Sequence, residues 1–563
     1  MIVCVTEGKS IQNTDTKTIF ITGGIVSGLG KGITAASLGA LLKDRGFSVV
    51  PQKVDPYLNV DAGTMNPFQH GEVFVTDDGA ETDLDLGHYE RFLDVSATKL
   101  SNFTTGAVYQ SVTEGERKGD YLGKTIQIIP HVTDEIQRRI RLVASTFHPD
   151  FQTVEIGGTV GDFEAEPFLE AARQYSRQHL GATIFIHVVK MDYIFPSDEP
   201  KTKPLQHSVI KLRGYGINPD ILIIRAKRAL SDSERAKIAL FSGLATDQII
   251  PALDAQSLYD IPLNMERAGL TTQVLRLLKV KSRRPNLGLI KEIASRTKKT
   301  HPLIRVGLVG KYTDLSDSYL SVIEAVKHAG IANRVKTEVV PIDSEHFKTS
   351  QLENVDAMIV PGGFGSRGVE GKIKAVGWAR LNGQPFLGIC LGLQCAVIEF
   401  ARNVCGINDA TSAEFNPSTP HPVIAYLPDQ AGLTRKGGTM RLGAFEAKMG
   451  DSFISRLYQW WQAGSLDFMP LDEIAKLKPV KRTSERHRHR YEVDPHYHRV
   501  LQQNGLIISG LSPNGQLVEF VELPRLIHPY FVATQAHPEF KSRPGHAHPL
   551  FAGLIRAAIE KIV

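Results

Sequence analysis

A cysteine stands between glycines in residues 387–394, LGICLGLQ, where an apolar segment gives way to residues typical of a helix. A sharp turn from strand to helix leaves little room for a Cβ atom, and Gly388 and Gly392 meet that requirement. The pattern therefore predicts an α/β fold with a nucleophile at the end of a strand. Backbone N–H groups at the start of the helix would stabilise a thiolate and a developing oxyanion.

Residues 535–540, QAHPEF, supply the partners that a nucleophilic Cys390 requires. His537 can activate the thiol, and Glu539 can orient the imidazole. A packing cysteine with a surface histidine is the alternative, but PGGFG at 361–365 offers further backbone N–H groups and favours catalysis. The set resembles the class I glutamine amidotransferases, whose Cys-His-Glu triad hydrolyses glutamine to glutamate and ammonia.

Residues 23–32, GGIVSGLGKG, follow a strand pattern and open a helix pattern, as a phosphate-binding loop does. Glycines let backbone N–H groups surround phosphate oxygens, and Lys31 adds a positive charge. Gly32 replaces the hydroxyl residue that normally binds magnesium in the motif GxxxxGK[ST]. The loop predicts nucleotide binding rather than a purely structural turn, with metal ligands from elsewhere.

Two carboxylates are candidate Mg²⁺ ligands. Asp85 lies in ETDLDLGHYE at 81–90, which is too apolar at alternate positions for a solvated loop, and Glu155 ends a strand pattern. Ligands of open α/β sheets bind at the carboxyl ends of the strands. Taken alone, each acid would more often be a helix cap or a surface residue, but beside a phosphate loop that lacks its Ser/Thr the pattern favours metal binding.

Two further clusters carry positive charge. KTKPLQHS at 201–208 suits a polyanion and a polar base edge, and an ordinary exposed loop is its alternative. RHRHR at 486–490 is either a phosphate or nucleic-acid site or a solvated loop. Lys53 is another cationic candidate for the phosphoryl path.

Alternating strand and helix patterns predict two parallel-sheet α/β domains. We predict an N-terminal extension at 1–16, a phosphate-loop domain at 17–280, a linker at 281–302 and an amidotransferase domain at 303–563. The net charge of +5 over 563 residues does not favour nucleic acid or a membrane surface. Four cysteines without a CxxC pair and residues 1–18 without signal-peptide character indicate a cytoplasmic protein.

Four longer segments, at 55–92, 154–164, 201–208 and 486–493, resemble the CTP synthases, and the similarity runs from about residue 18 to the C-terminus. The resemblance implies a dethiobiotin-synthetase-like synthase (amidoligase) domain fused to a glutaminase. Such an enzyme uses ATP with Mg²⁺, and no organic cofactor, to phosphorylate the 4-oxygen of UTP, and ammonia from glutamine then displaces phosphate to give CTP. It further implies a homotetramer, activation by GTP, inhibition by CTP, and passage of ammonia through the protein interior.

The resemblance also assigns roles to individual residues. Those implied for ATP are Gly28, Leu29, Gly30, Lys31, Gly32, Ile33 and Asp85, and Asp85 and Glu155 would hold the metal. Those implied for UTP or CTP are Ser27, Lys53, Asp162, Phe163, Glu164, Lys201, Thr202, Lys203, Pro204, Leu205, Gln206 and Lys237. Those implied for glutamine are Gly363, Leu391, Gly392, Leu393, Gln394, Glu414 and Arg490, and Arg367 would lie in a lid that responds to GTP. Leu205 departs from the family, which usually has threonine there, and 425–480 matches poorly.

Two rival hypotheses remain: a different amidotransferase, and a non-enzymatic protein from another class. A cobyrinate-type amidase also pairs a phosphate loop with a glutaminase, but it activates a carboxylate and does not need the cluster at 201–206. A filament-forming scaffold without catalysis would not need Cys390, His537, Glu539 and Lys31 together, and a glutaminase assay separates it from an enzyme.

Overall fold

The structure, a computed structural model, describes residues 16–562 except 25, 27, 67–69, 197–198, 299–300, 312–315 and 427–439. Ser27 and all but the last residue of the predicted extension 1–16 therefore lie outside the described residues. The chain forms two compact units: one extends up to Val60 and from Leu100 to Ile290, and the other comprises Asp61–Lys99 and Lys291–Val563. Within the described ranges, no helix combines the length and apolar character needed to cross a membrane.

The first unit is built on a parallel sheet. Seven strands are seen in its described part, in the spatial order Ile249–Leu253, Ile221–Ala226, Thr183–Lys190, Lys17–Gly23, Phe151–Ile156, Val49–Asp55 and Asn102–Thr104. Their near-continuous apolar sequences, such as ILIIRA in Ile221–Ala226, are those of strands covered on both faces. The covering helices are Lys31–Asp44, Thr105–Lys118, Thr133–Phe147, Glu166–Gln178, Lys203–Gly214, Asp232–Ser242, Ile261–Arg267 and Leu270–Leu277.

The second unit contains a mixed sheet. Its strands, in spatial order, are Lys336–Asp343, Leu303–Gly310, Ala357–Val360, Phe386–Ile389, Phe531–Thr534, Val518–Glu522, Ile507–Leu511, Arg441–Met449 and Arg482–His489. The first five pair in parallel and the remaining pairings are antiparallel. The helices are Asp85–Leu93, Leu320–Asn333, Val369–Asn382, Leu391–Asn403, Phe453–Gln462, Leu471–Ile474, His498–Gln503 and Pro549–Ile562.

Smaller elements complete the two units. Asp192–Ile194 pairs with Glu199–Lys201 in the first unit, and Phe74–Val75 pairs with Glu81–Thr82 in the second. Thr411–Ser412, Pro422–Tyr426 and Tyr491–Val493 form a small sheet. The predicted linker carries the helix Gly288–Lys298.

Buried charges join residues 61–99 to the rest of the second unit. Glu90 is fully buried and accepts hydrogen bonds from Arg486 Nη1 at 2.9 Å and Nη2 at 3.0 Å, and it also pairs with Arg543. Arg486 in turn donates to Asp77 at 2.6 Å. Ionised groups removed from water need such partners, which explains why a segment that sequence patterns place in the first domain packs with the second unit.

The same contacts correct one interpretation of the basic run at 486–490. Arg486, His487 and His489 are buried on the strand Arg482–His489, so these three residues form neither a solvated loop nor an exposed phosphate or nucleic-acid site. Carboxylates from distant segments permit this burial, because Glu90 pairs with Arg486 and Glu519 pairs with His487, and the run itself does not reveal these partners.

Glu90→Gln should lower the free energy of unfolding by about 3–5 kcal/mol, because it leaves two buried guanidinium groups without their shared carboxylate. Urea unfolding of the full chain measures the change. The control Glu338→Gln removes an exposed ion pair with Arg305 (3.2 Å) and should cost less than about 1 kcal/mol. Equal urea midpoints for the two variants would contradict a structural role for the buried network.

Candidate active site

Cys390 lies at the turn between the strand Phe386–Ile389 and the helix Leu391–Asn403. Its backbone has φ 53° and ψ −105°, a conformation that costs a non-glycine residue energy and that functional sites retain. The Cys390 N–H donates to Thr534 O at 2.8 Å, which holds the turn. The predicted sharp turn from strand to helix is therefore present, with Cys390 at its apex.

The two glycines around the turn are required by space. A Cβ atom on Gly392 would lie 2.1 Å from Val360 O, and one on Gly388 would lie 2.8 Å from the carbonyl carbon of Gly392. Both contacts are with backbone, which cannot yield as a flexible side chain can. A side chain at either position would displace Cys390.

His537 and Glu539 form the pair that a nucleophilic cysteine needs. His537 Nδ1 and Glu539 Oε1 are 2.7 Å apart, and both side chains are almost fully buried. Burial opposes the charged imidazolium, but the Glu539 carboxylate and the Cys390 sulfur outweigh it and raise the pKa of His537 to about 10. A charged imidazole beside a cysteine favours nucleophilic attack by its sulfur.

A cavity of about 420 Å³ opens over Cys390. His537, Glu539, Arg490 and the loop residues Pro361 to Phe364 contribute to its walls. A Cβ atom on Gly362 would lie 2.8 Å from His537 Cε1 and 3.5 Å from Cys390 Cβ, so this loop approaches both side chains. The volume and the mixed apolar and charged walls suit a small polar substrate.

The residues implied for glutamine divide into three sets by their position. Gly363 and Arg490 line the cavity directly. Glu414 accepts a hydrogen bond from the Gly365 N–H at 2.6 Å, and burial raises the pKa of its carboxyl group. The others belong to the buried first turn of the helix after Cys390: Leu391, Gly392, Leu393 and Gln394.

Arg367, the residue implied for the GTP-responsive lid, follows the same loop. Its guanidinium donates to Lys311 O at 3.1 Å and lies 3.4 Å from Glu345. About half of the Arg367 side chain is exposed, so it remains accessible to an anionic ligand.

Sequence reasoning missed several residues of the cavity wall. Met65, Glu72 and Arg488 line it together with Cys390. Glu72 accepts hydrogen bonds from the Ser321 N–H at 2.9 and 3.0 Å, and burial raises its pKa to about 7 despite the opposing effects of Arg91 and Ser321. The segments 55–92 and 486–493 carry the family resemblance, but no motif links residue 72 or residue 488 to residue 390.

In the first unit, the glycine-rich loop joins the strand Lys17–Gly23 to the helix Lys31–Asp44. Gly28 and Gly30 have φ of 69° and 82°, which favour glycine, and Lys31 donates to Gly158 O. Gly32 and Ile33 lie in the first turn of the helix. The predicted strand, loop and helix are therefore all present.

A cavity of about 350 Å³ adjoins this loop. It is lined by Gly28 and Leu29 and by the cationic side chains Lys190, Arg225 and Lys227. Arg225 donates to Leu29 O at 3.2 Å and to Asp254 at 2.9 Å. The cavity lies at the carboxyl ends of parallel strands, where open α/β sheets bind ligands.

The two metal candidates occupy different elements. Glu155 is buried on the strand Phe151–Ile156, where its Cα is paired in register with those of Ile21 and Lys53. Asp85 begins the helix Asp85–Leu93. In the part of the chain that the structure describes, no group of three or more His, Cys, Asp or Glu residues is arranged to hold a metal ion.

The cluster at 201–206 begins a helix. Lys201 pairs with Glu199 at 2.7 Å. The positive charges of Lys201 and Lys237 both lower the pKa of the Glu199 carboxyl group, so both lysines lie near this carboxylate. Lys203 is exposed and Pro204 half-buried in the first turn of Lys203–Gly214. Thr202, Leu205 and Gln206 are buried, and Gln206 Nε2 donates to Thr202 Oγ1 at 3.1 Å.

Lys53 and the segment at 162–164 also belong to the first unit. Lys53 is buried with Nζ 3.7 Å from Asp55 Oδ1. Asp162 accepts a hydrogen bond from the Thr159 N–H at 2.9 Å. Phe163 is 84% exposed and Glu164 is also exposed, so their side chains are open to a ligand.

Comparisons with known proteins identify the families that the two parts of the chain match. A family model described as "CTP synthase N-terminus" matches residues 17–280, and "Glutamine amidotransferase class-I" matches residues 314–557. The CTP synthase of Methanococcus maripaludis is 51% identical over 558 residues, covering 97% of this chain and 100% of that protein. The CTP synthase of Acidothermus cellulolyticus is 52% identical over 556 residues, covering 97% and 96%.

Among solved structures, the glutaminase domain of Trypanosoma brucei CTPS with bound acivicin is 34% identical, with 46% of this chain and 94% of that chain covered and a TM-score of 0.39. The near full-length identity to the curated relatives confirms the family indicated by the motifs. This chain belongs to the CTP synthase family, the ligases that form CTP with glutamine as nitrogen donor.

Proposed function

We propose that the second unit releases ammonia from glutamine at Cys390 and that the first unit uses ATP to activate UTP for amination. The observation that carries the proposal is the Cys390 turn facing the His537–Glu539 pair across one cavity. A strained cysteine beside an imidazole with a raised pKa suits acyl transfer.

In the glutaminase reaction, the Cys390 thiolate attacks the carboxamide carbon of glutamine, and the carbonyl electron pair moves to oxygen. Backbone N–H groups of the loop at 361–365 and of Leu391 stabilise this oxyanion. His537 protonates the leaving nitrogen, so ammonia departs and a thioester remains. His537 then takes a proton from water, which hydrolyses the thioester to glutamate.

Glutamine binding is assigned on the family resemblance and on position in the cavity. Arg490 suits the substrate carboxylate, and Glu414 suits its amino group, because opposite charges favour each other in a partly dry site. Gly363 and the turn Leu391, Gly392, Leu393 and Gln394 surround the carboxamide in this proposal.

In the synthase reaction, ATP transfers its terminal phosphoryl group to the 4-oxygen of UTP. Ammonia attacks the carbon, and inorganic phosphate leaves with the oxygen, which gives CTP, ADP and phosphate. We assign the phosphates of ATP to Gly28 through Ile33, with Lys31 balancing their charge. The adjoining cavity with Lys190, Arg225 and Lys227 supports a nucleotide at this end of the sheet.

UTP and product CTP are assigned to residues of the first unit. The proposed UTP residues are Ser27, Lys53, Lys201, Thr202, Lys203, Pro204, Leu205, Gln206 and Lys237. The proposed CTP residues are Asp162, Phe163 and Glu164. Because Thr202, Leu205 and Gln206 are buried, their contribution here is to shape the backbone around the lysines.

Mg²⁺ is the proposed metal. It prefers one or two carboxylates together with phosphate and water, so the carboxylate Glu155, on the strand beside the strand that leads into the loop, is a suitable ligand without a three-residue cluster. The family resemblance assigns the same role to Asp85. Bound Mg²⁺ would neutralise charge on the transferring phosphoryl group.

The remaining assignments rest on the family. We propose that GTP acts through Arg367 to activate glutamine hydrolysis, that CTP inhibits, that the enzyme is a homotetramer, and that it works in the cytoplasm on nucleotide substrates. Light scattering with and without UTP and ATP tests the tetramer.

Cys390→Ala should abolish glutamine-dependent CTP formation and leave ammonium-dependent formation within about twofold of the parent, because only acyl transfer uses the thiol. CTP absorbance measures both. Cys405→Ala, at a half-buried cysteine, is the control. Loss of both activities in a folded Cys390→Ala variant would refute a separate ammonia-producing site.

Lys31→Ala should remove synthesis from either nitrogen source by at least about a hundredfold, because phosphoryl transfer depends on the charge at the phosphates. Glutamine hydrolysis should continue. Lys43→Ala, an exposed lysine on the same helix, should leave both activities unchanged. Near-normal ammonium-dependent turnover in Lys31→Ala would rule out the phosphate role.

Glu155→Gln keeps the side-chain volume but removes the charge that would balance Mg²⁺, so it should reduce CTP formation and raise the Mg²⁺ concentration required. The exposed Glu114→Gln provides the control. An unchanged Mg²⁺ dependence in Glu155→Gln would exclude metal binding at this carboxylate.

A further inference from the structure

Two buried lysines hold the carbonyl groups of the loop at 361–365. Lys372, on the helix Val369–Asn382, is fully buried, and its Nζ donates to Pro361 O at 3.0 Å. Lys311 is 6% exposed and donates to Phe364 O at 2.8 Å and also to Gly365 O. A buried amine is expensive to keep out of water, so its placement beneath an active-site loop calls for a functional reason.

Peptide geometry gives that reason. The C=O and N–H groups of one trans peptide point in opposite directions. Pro361 O is directed toward Lys372, so the N–H of Gly362 is directed away from that lysine. The same argument applies to Phe364 O and Lys311, and the N–H of Gly365 is indeed engaged on the other side by Glu414 at 2.6 Å.

The lysine contact persists through neutral pH. Burial lowers the pKa of Lys372 to about 7, with the Cys395 and Cys390 sulfurs opposing the shift and Lys311 adding to it. An amine nitrogen donates N–H whether it is charged or neutral. Protonation therefore changes the strength of the hydrogen bond to Pro361 O but does not remove its donor.

We propose that Lys372 is a positioning residue for glutamine hydrolysis, which acts through Pro361 to present the loop N–H groups to the oxyanion formed at Cys390. It touches the loop carbonyl and not the substrate. The inference rests on the proposed glutaminase role of Cys390, and it concerns the orientation of the loop alone.

Lys372→Met tests the inference, because methionine fills a similar volume without a donor, and apolar replacement of a buried charge is often tolerated by the fold. We expect kcat for glutamine hydrolysis to fall about ten- to a hundredfold, with KM changed less than about twofold. This decrease is no larger than the decrease caused by removing an oxyanion donor itself. Ammonium-dependent CTP formation should match the parent. The control Lys374→Met alters an exposed lysine two residues away and should change nothing.

Alkylation of Cys390 by iodoacetamide separates positioning from thiol activation, because this reaction needs the thiolate but forms no oxyanion. Its rate and pH profile should be the same in Lys372→Met and the parent. A parallel loss of alkylation would overturn the inference in favour of an effect on the sulfur, and an unchanged kcat would leave Lys372 a packing residue. Lys372→Gln, which keeps an N–H donor, should retain more kcat than Lys372→Met, and an equal loss would also count against the proposal.

The activity of the parent enzyme distinguishes failure of the proposed function from failure of the positioning role of Lys372. Failure of the parent to form CTP from glutamine would refute the proposed function, whereas normal parent activity with an unaffected Lys372→Met would refute the positioning role alone.

Discussion

Parallel pairing of Phe386–Ile389 with Phe531–Thr534 is the constraint on which the glutaminase site depends. Ile389 is in register with Thr534, so Cys390 and His537 follow the same end of neighbouring strands. The hydrogen bond from the Cys390 N–H to Thr534 O extends that register into the turn. Distant segments therefore meet because a sheet fixes where its strands end, and the strained backbone at Cys390 is held by that sheet.

Buried charge determines much of the surroundings of this pair. Glu90, Arg486 and Arg543 form a network whose partners come from both the 61–99 segment and the glutaminase sequence. The strand that carries Arg486 also accepts the His537 N–H through Arg486 O at 2.7 Å, so the buried network and the backbone of His537 are both bonded to that strand. The buried ion pairs and the position of the His537 imidazole therefore depend on the same residue, Arg486.

The two units place different loops at equivalent positions of their parallel sheets. Each places its reactive loop at the carboxyl ends of parallel strands and begins a helix there. In one unit, glycines with positive φ and Lys31 form a loop suited to phosphate. In the other, glycines without room for a side chain let Val360 approach Gly392 and let the loop at Gly362 approach Cys390 and His537. The difference lies in the few residues at the turn and not in the scaffold.

The sequence by itself determined the local elements and the reactive residue types. The Cys390 turn, the His537–Glu539 spacing, the glycine-rich loop and the strand patterns depend on neighbours within a few residues, which a linear motif records. Only the tertiary structure decided that Glu72 and Arg488 line the cavity of Cys390, that Arg486 is buried, and that Lys372 lies beneath the loop at 361–365. These contacts join residues far apart in the chain, and the burial of a charged side chain depends on partners that no local pattern contains.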